Sequence, residues 1–565
     1  MKVSYKNIEI EIKNENTTVI EAFKEAIEEK ENIIACMVNN EVKPLNYVLK
    51  QNDEVELLNT STRDGARTYT RGLLFIMAMA FEELYPQIKL TVNFQLSSSM
   101  FCKVENEIIT NDMIEKVKAR MQEIINKNLP IKKVQMSKEE ASKFIKKENT
   151  EIGEMQLENK DKKTVSLYFC EEYYNYFYGV MPISTGYINL FDIMKYHDGF
   201  LIRYPSKNKP NEIKPYQDGK KLLATLEEYD DIYRILGIAT LSQLNEKIRN
   251  GEAKDIILLS EALHEKKIAN IADKIIEDRK KRVILIAGPS SSGKTTFAKR
   301  LGIQLKLNGL KPKTISVDNY FVEREETPRD EFGNYNFEAL EAVDLKLLNE
   351  HLVKLLNGEE IEVPTFDFKK GTKHYKGKTM KLEEDEVLIM EGIHCLNDEL
   401  TPAIDKNQKF KIYISALTVL NIDYYNRIST TDTRIIRRTV RDSRFRSYDA
   451  LRTLSSWYSI SAGEEKNIFP FQEEADVMFN TSLIYEINAL KKYALPLFSQ
   501  IGKEEKEYAE AKRLTEFLKY FEQIDIEDIP KNSLLREFIG GGIFNYDWAV
   551  GDVSFRLICP FRSKK

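Results

Sequence analysis

A glycine- and serine-rich stretch, AGPSSSGKTTFAKR, begins at Ala287, about halfway along the 565 residues. It satisfies the pattern GxxxxGK[ST], with the β-branched run RVILIAG before it and helix-compatible residues after it. In that setting backbone N–H groups surround phosphate oxygens, the lysine reaches terminal phosphates and the hydroxyl group can hold Mg²⁺. A serine-rich surface turn is the alternative. The residues expected to bind nucleotide phosphates are Gly288, Ser290, Ser291, Ser292, Gly293, Lys294, Thr295 and Thr296.

Two acidic residues end apolar runs that are typical of strands. Asp318 closes KTISVD, where a carboxylate can accept a hydroxyl proton or orient an acceptor; a plain turn aspartate is the alternative. Glu391 closes DEVLIME, where enzymes with such a loop place an acid near Mg²⁺ or its water shell. Gly392 beside it indicates the close approach of a ligand, which favours a metal-site acid over a simple strand-end charge.

The segment TRIIRRTVRDSRFR concentrates arginine rather than lysine. Arginine favours bidentate contact with phosphate, as a lid over a transferring phosphoryl group would need. A solvated helix face and a surface for the RNA backbone are the alternatives. The arginines of this segment are Arg434, Arg437, Arg438, Arg441, Arg444 and Arg446.

The sequence patterns of the segments that must position these residues predict a multidomain chain. Residues 1–60 have the strand and helix patterns of a small α+β module, and residues 61–219 predict a second α+β domain. Charged, helix-forming sequence over 220–281 predicts a helical connector. Over 282–545 short β-branched runs alternate with helices, which predicts an α/β domain with a parallel sheet, and 546–565 form a tail.

Composition narrows the class of protein. The chain has 84 basic and 89 acidic residues, so we expect no bulk affinity for polyanions. Its five cysteines are scattered and form no CxxC, which fits a reducing compartment. The start lacks the layout of a signal peptide, and the longest apolar run, 73–81, is too short to span a bilayer. We therefore expect a cytoplasmic protein without a membrane partner.

The ordered motifs of the second half resemble those of uridine kinases and the wider phosphoribulokinase/uridine kinase family. The phosphate loop, SVDNYF, VPTFDF, MEGIH and RRTVRD occur in the family's order over roughly 282–484. The resemblance implies ATP and Mg²⁺ as cofactors, Asp318 as the base toward a sugar hydroxyl, and Glu391 near the metal held by Thr295. The catalytic residues that it implies besides Asp318 are Lys294, Arg441, Arg444 and Arg446.

This chain departs from the family where the acceptor base is bound. In uridine kinases the segment that matches TFDFKKGTKHY has a tyrosine and, five residues later, a histidine that hold the pyrimidine; here these positions are Phe366 and Gly371. Phe366 can still stack on a ring, whereas His374 would have to act from a different place. The residues expected to contact the acceptor are Asp318, Tyr320, Phe366 and Asp367.

The first half resembles the N-terminal portion of threonyl-tRNA synthetases, a TGS-like β-grasp domain (1–60) followed by an editing-type α+β domain (61–219). The resemblance rests on DEVELLNTSTRDGARTYTRGLLFIMAMAFEELYP and YFYGVMPISTGYINLFDIMKYHDGFLIRYP. Editing domains of that kind have an HxxxH pair and a CxxxH pair, a spacing that suits zinc. The matching positions here are Arg67, Arg71, Phe177 and Met181, which are not credible ligands, so we predict no zinc and no hydrolytic editing.

Together these patterns predict an ATP-dependent kinase for a small-molecule hydroxyl group, with the 5′-hydroxyl of a nucleoside such as uridine as the first choice. The competing hypothesis is a tRNA- or ribosome-associated ATP-binding switch that uses the first half of the chain. A third hypothesis is that the first half only supports oligomerisation or covers the kinase cleft. RNA binding and homo-oligomer formation stay open.

Overall fold

The computed structural model describes residues 2–5, 8–12, 14, 16–29, 32–145, 156–157, 163–329, 333, 335–367 and 370–546. The first sixty residues form a five-stranded sheet with the order β2-β1-β5-β3-β4, in which β1 and β5 are parallel. The helical segment VIEAFKEAIEE is interrupted at Phe23, which separates two short helices. The elements are β1 Lys2–Tyr5, β2 Ile8–Glu11, α1 Val19–Ala22, α2 Lys24–Glu29, β3 Ile33–Val38, β4 Glu41–Lys43 and β5 Glu54–Asn59.

The second region is built around the long helix α3 (Arg63–Leu84). The hydroxyl group of Thr62 caps it by accepting the N–H of Gly65, and every residue from 72 to 81 is buried. The long apolar run is therefore a core helix, and no helix in the described part of the chain is long and apolar enough to cross a membrane. Two antiparallel sheets, β11-β12-β7-β6 and β10-β9-β8, belong to the same region. The remaining elements are β6 Leu90–Gln95, β7 Ser99–Val104, α4 Asn111–Asn126, β8 Lys132–Ser137, α5 Lys138–Ile145, β9 Thr164–Cys170, β10 Tyr173–Asn175, β11 Asp192–Tyr196 and β12 Gly199–Arg203.

The residues predicted to form a connector contain three helices: α6 Lys220–Ile235, α7 Leu241–Arg249 and α8 Ala253–Glu277. Their apolar faces belong to one hydrophobic cluster that includes Phe101 of the second region, Tyr229 of the connector and Trp457 of the last part of the chain. Because apolar burial is the main favourable term in folding, a cluster drawn from all three parts ties the two halves together.

The second half contains a five-stranded, fully parallel sheet with the order β14-β17-β13-β18-β19, as the β-branched runs predicted. Every residue of its central strand, β13, is buried, which explains the continuous apolar run there. The strands are β13 Val283–Ala287, β14 Lys311–Ser316, β17 Glu386–Glu391, β18 Lys409–Ser415 and β19 Val477–Asn480.

A β-hairpin and seven α-helices complete the described residues of the second half. The hairpin pairs β15 (Ile361–Asp367) with β16 (Thr372–Met380) outside the parallel sheet. Gly540 and Gly541 both have left-handed backbones, with φ of 75° and 72°, which glycine adopts readily, and they follow the last helix. The helices are α9 Lys294–Leu307, α10 Leu345–Leu356, α11 Thr430–Phe445, α12 Ala450–Asn467, α13 Glu486–Ser499, α14 Tyr508–Leu518 and α15 Arg536–Ile539.

Candidate active site

The phosphate loop joins β13 to α9 through backbone that its glycines permit. Gly293 is left-handed, with φ 88° and ψ 26°, and stands immediately before α9. Gly288 has no room for a side chain, because a Cβ there would lie 2.0 Å from the carbonyl oxygen of Ile414. The motif therefore forms the sharp strand-to-helix turn in which successive N–H groups create an anion-binding surface.

The side chains of the loop are arranged around this turn. Lys294 Nζ donates to the carbonyl oxygens of Gly288 and Pro289, at 2.9 and 3.3 Å. The hydroxyl groups of Ser291 and Ser292 are buried and have no hydrogen-bond partner within the described residues. A loop with a folded-back lysine and unpaired hydroxyl groups fits an anion as its missing partner.

The parallel sheet brings the loop and both predicted acids to one edge. Glu391, at the end of β17, lies opposite Ile286 of β13 and Ser316 of β14. Asp318 follows the end of β14 in a short 3₁₀ turn. Since the carboxyl ends of parallel strands meet at one edge of a sheet, Lys294, Asp318 and Glu391 face the same cleft.

Gly392 has a packing role instead of the ligand-related role expected from the sequence. A Cβ on Gly392 would lie 2.7 Å from Cβ of Val317, and its N–H donates to the carbonyl oxygen of Ile286 at 3.1 Å. The close approach seen at Gly392 is thus made by Val317, a residue of the protein. The role of Glu391 near a metal stays a prediction, and the register of the sheet places Glu391 opposite Ile286 of β13.

The charges of the cleft act on one another. Burial raises the pKa of Glu391 to about 7; the charge of Asp318 adds to this effect and Lys294 opposes it. Asp318 is open to solvent, yet the protein that surrounds the cleft raises its pKa too, against the charges of Lys294 and Arg446. A raised pKa makes a carboxylate a stronger base, which favours the acceptance of a proton by Asp318.

Glu338 is a further carboxylate of this cleft, which the sequence analysis missed. Burial and the charge of Glu464 raise the pKa of Glu338 to about 7, Arg438 and Lys294 oppose the shift, and Asp318 adds to it. Lys294 acts on both Glu338 and Asp318, and the charge of Asp318 acts on Glu338, so the two carboxylates are electrostatically linked. In the sequence Glu338 is a single acidic residue within NYNFEAL, and that segment alone does not indicate that the side chain lies in the cleft.

The arginines of α11 support the phosphate loop from outside. Arg434 Nε donates to the carbonyl oxygen of Ser290 at 3.0 Å, and Arg437 Nη1 donates to that of Ser291 at 3.3 Å. Arg438 Nη1 donates to Ser290 Oγ at 2.5 Å. Arg434 and Arg437 are 2% and 0% exposed, so this part of the segment is not the solvated helix face that the sequence left open.

Asp442 organises the arginines expected in the lid. It is 1% exposed and forms ion pairs with Arg438, Arg441 and Arg446, with N···O distances of 3.2, 2.8 and 3.6 Å. Arg444 lies elsewhere: it is exposed, and its guanidinium group is 4.5 Å from the ring centre of Tyr493. Arg446 is thus held where its charge acts on Asp318, whereas Arg444 stacks on a neighbouring helix.

Two of the expected acceptor contacts are buried in the fold. Tyr320 is 0% exposed, and its hydroxyl oxygen lies 3.1 Å from His351 Nδ1. Phe366 is also buried, with its ring centre 5.6 Å from that of Phe321. Both side chains pack against protein partners, so their contact with an acceptor stays a prediction.

The position that is a histidine in uridine kinases has its own local structure here. Gly371 is left-handed, with φ 74°, and a Cβ would lie 2.5 Å from Nε of Arg324, so a histidine does not fit while Arg324 stays in place. The N–H of Gly371 donates to the carbonyl oxygen of Asp367 at 2.6 Å, which places Asp367 at the hairpin turn. His374 Nε2 lies 2.8 Å from Thr372 Oγ1.

The four positions that match zinc ligands in editing domains are occupied in other ways. Arg67 makes a bidentate pair with the carboxylate of Glu510, at 2.6 and 3.1 Å. Arg71 donates to a backbone carbonyl oxygen at 3.0 Å, and burial lowers its pKa to about 10. Phe177 and Met181 are buried in the hydrophobic cluster around α3. An ion pair, a hydrogen bond to the backbone and core packing thus account for these side chains.

The residues at the sheet edge fit a nucleotide with Mg²⁺. Mg²⁺ prefers oxygen ligands and keeps several waters, and Thr295 and Glu391 supply a hydroxyl and a carboxylate oxygen beside the loop.

Thr296, the last residue of the loop, is fully buried, and its N–H and hydroxyl group both donate to Glu537. Neither Glu537 nor Glu338 was found from the sequence.

The first half of the chain is similar to part of a synthetase. A threonine–tRNA ligase of Clostridium kluyveri is 29% identical over 151 residues in the N-terminal region, 26% of this chain. The chain spans about a quarter of that ligase, 24% of its length. The similarity therefore concerns one portion of the ligase.

The second half is similar to nucleoside kinases. The profile of the Phosphoribulokinase / Uridine kinase family matches residues 283–486, from the start of β13 to the start of α13. A uridine kinase of Halalkalibacterium halodurans is 33% identical over 174 residues, which cover 31% of this chain and 71% of that protein. A uridine kinase of Mycoplasma genitalium is 33% identical over 186 residues, covering 33% and 78%. With its loop, sheet edge and arginine helix inside the matched residues, this chain belongs to the phosphoribulokinase/uridine kinase family.

Proposed function

We propose that this chain is an ATP-dependent, Mg²⁺-requiring kinase that phosphorylates a small-molecule hydroxyl group, the 5′-hydroxyl of a nucleoside. The observation that carries the proposal is the shared edge of the parallel sheet, where Asp318 joins the phosphate loop and Glu391. A nucleotide switch needs the loop and a metal-side acid, whereas a base that faces an acceptor is a requirement of phosphoryl transfer to a hydroxyl group.

In this proposal catalysis rests on positioning and on neutralising charge. Lys294 and the N–H groups of the loop hold the donor phosphates. Mg²⁺, when bound by Thr295 and Glu391 or through its water shell, neutralises phosphate oxygens. Asp318 accepts the proton of the attacking hydroxyl group, and its raised pKa makes it a stronger base for that step. Arg446, whose charge already acts on Asp318, offsets the charge that develops on the transferred group.

The other two arginines expected in the lid, Arg441 and Arg444, have different contacts. Arg441 and Arg446 both form ion pairs with Asp442, so both can contact the phosphates while Asp442 stays in place. Arg444 stacks on Tyr493, and a role over the phosphates requires the end of α11 to move. We therefore assign the main lid role to Arg441 and Arg446.

The acceptor site combines carboxylates with an altered base pocket. Glu338 lies in the electrostatic environment of Asp318 and can accept hydrogen bonds from sugar hydroxyl groups. Gly371 removes the histidine that reads a pyrimidine, so we propose that the sugar is held more firmly than the base. Tyr320, Phe366 and Asp367 stay predicted contacts of the acceptor.

Product formation tests this function. Purified protein is incubated with ATP and Mg²⁺ and a panel of nucleosides, with simple sugars as controls, and 5′-monophosphates are detected by mass spectrometry. At least one nucleoside monophosphate is expected, and none with the Lys294→Ala variant. ATP binding without a product from any nucleoside would reject the kinase function.

We propose further that residues 1–219 are a TGS-like and an editing-like domain and act as a structural arm of a cytoplasmic kinase. The hydrophobic cluster shared by both halves supports this role. The similarity to a threonine–tRNA ligase favours the second candidate, a tRNA- or ribosome-associated switch. Filter binding of bulk tRNA at physiological salt separates the two: the structural arm predicts no retention, whereas retention that falls steeply with salt supports the switch.

A further inference from the structure

The last described segment of the chain lies on the phosphate loop. The backbone N–H and the hydroxyl group of Thr296, in the first turn of α9, both donate to Oε2 of Glu537, at 3.2 and 2.5 Å. Thr296 is 0% and Glu537 4% exposed, and the hydroxyl oxygen of Tyr546 lies 2.8 Å from Thr296 Oγ1. A carboxylate from a residue 241 positions away therefore occupies a hydrogen-bond donor of the loop.

That donor belongs to the set that holds nucleotide phosphates in loops of this type. Backbone N–H groups of the GxxxxGK[ST] loop and of the helix that it opens cradle the α- and β-phosphates. Carboxylate and phosphate oxygens are both negatively charged acceptors, and both are stabilised at the positive end of a helix. Glu537 and a nucleotide phosphate therefore compete for Thr296.

The surrounding segment holds Glu537 in this place. A Cβ on Gly293 would lie 2.7 Å from Leu534 Cδ2, so the segment is packed directly against the loop glycine. The guanidinium carbon of Arg437 lies over the ring of Phe538, 5.1 Å from the ring centre. Arg536 clamps the segment on itself by donating to four backbone carbonyl oxygens, those of Ile526, Ile529, Pro530 and Gly540.

We propose that residues 526–546 form a built-in competitor of the nucleotide, in which Glu537 occupies the place of a phosphate oxygen on Thr296 and must be displaced before ATP is fully bound. The inference rests on the proposed function, because it concerns regulation of the same loop. Thr296 lies within the family-matched residues 283–486, whereas Glu537 lies beyond them. The negative charges of an incoming triphosphate and of Glu537 repel each other, which makes displacement a condition of tight binding.

Calorimetric titration of ATP with Mg²⁺ into the full chain tests the competition. Glu537→Gln keeps the shape of the side chain but removes its charge, and we expect ATP affinity to rise at least tenfold. Glu527→Gln is the matched control, because it removes the same charge from an exposed position of the same segment and should leave the affinity within twofold. Tyr546→Phe should give a smaller increase than Glu537→Gln.

The outcomes separate this inference from the kinase function. If the wild type binds ATP and Glu537→Gln changes the affinity by less than twofold, or weakens it, the competitor is rejected while the kinase proposal stands. If Glu537→Gln binds tenfold tighter but no acceptor is phosphorylated, the competitor stands without the kinase. If no variant binds ATP at millimolar concentration, both fall.

Hydrogen exchange of the wild-type chain provides a second measurement that needs no variant. Displacement predicts that saturating ATP raises amide exchange within 526–546 while it lowers exchange in the phosphate loop. Lower exchange in both segments would show that Glu537 stays in place when the nucleotide binds, and would overturn the proposal.

Discussion

Helix α11 takes part in two ion-pair networks that differ in burial and in what they touch. The loop network touches the phosphate loop, and the junction network connects the first half of the chain to the second. The loop network consists of Arg434, Glu464, Arg437 and Glu486. The junction network consists of Arg67, Glu510, Arg513 and Asp432.

The number of partners for each carboxylate sets how much the loss of one arginine costs. The carboxylates of both networks are buried, but in the junction Glu510 and Asp432 each lie within 4 Å of both Arg67 and Arg513, whereas in the loop network Glu486 pairs with Arg437. A buried carboxylate left without any cation is costly, and less so where a second arginine remains beside it. The comparison teaches that the nucleotide site depends on α11 directly, whereas the ion pairs of the junction meet that helix at Asp432 in its first turn.

The largest expected effect is on the loop network. Arg437→Ala leaves Glu486, 1% exposed, as an unpaired buried charge, so the free energy of unfolding should fall by about 3–5 kcal/mol. ATP binding should be lost with it, because the variant also removes the bond to Ser291. Denaturant unfolding and ATP titration measure both. Arg444→Ala, at an exposed position of the same helix, is the control, and an equal loss in that variant would contradict the account.

At the junction we expect a smaller loss that spares the nucleotide. Arg513→Met removes the bidentate partner of Asp432, at 2.6 and 2.8 Å, and should lower the free energy of unfolding by about 1–3 kcal/mol. ATP affinity should change by less than threefold. A loss of affinity as large as that of Arg437→Ala would place the first half inside the nucleotide machinery and remove the distinction between the networks.

Protonation of Glu338, beside Glu464 of the loop network, should make the stability of the folded state depend on pH. Its pKa is raised from 4.5 to about 7 by burial and by Glu464, so the folded state holds this proton more tightly than the unfolded chain does. The resulting stabilisation is complete below pH 4.5 and is lost as pH rises through 7. The melting temperature of Glu338→Gln relative to the wild type should therefore be higher at pH 8 than at pH 5. A difference that does not vary with pH would show that Glu338 titrates normally.

The smallest effect concerns a neutral contact of the junction. The hydroxyl oxygens of Tyr176 and Tyr520 are 3.2 Å apart and buried between the two halves. Tyr176→Phe removes one hydrogen bond and should cost about 1 kcal/mol of unfolding free energy. Denaturant unfolding measures it, and a loss above that of Arg513→Met would reverse the order expected for charged and neutral contacts.

Local sequence patterns were enough to predict the elements that position the site. The apolar run before Gly288 became the central strand of a parallel sheet, and the run 73–81 became a buried helix. Both features depend on neighbours in the chain, because hydrophobic periodicity and glycine conformation are local properties. The order of motifs then identified the family.

Contacts between distant residues were beyond the reach of such patterns. Glu537 meets Thr296 across 241 positions, and Arg67 meets Glu510 across 443. The arginine segment was recognised, yet the sequence did not show that Arg434 and Arg437 are buried behind the loop while Arg444 is exposed. The loss of metal ligands at Arg67 was visible, whereas the ion pair that uses this arginine required the fold.

The central claim is that Asp318 acts as the base in phosphoryl transfer at this loop. The most direct test compares wild type and Asp318→Asn in one preparation, with transfer from ATP to the accepted nucleoside and ATP affinity measured together. The account predicts that transfer falls about 10³-fold while ATP affinity stays within about threefold, because the carboxylate acts on the acceptor proton. Transfer that stays within tenfold of the wild type, or a parallel loss of ATP binding, would contradict it.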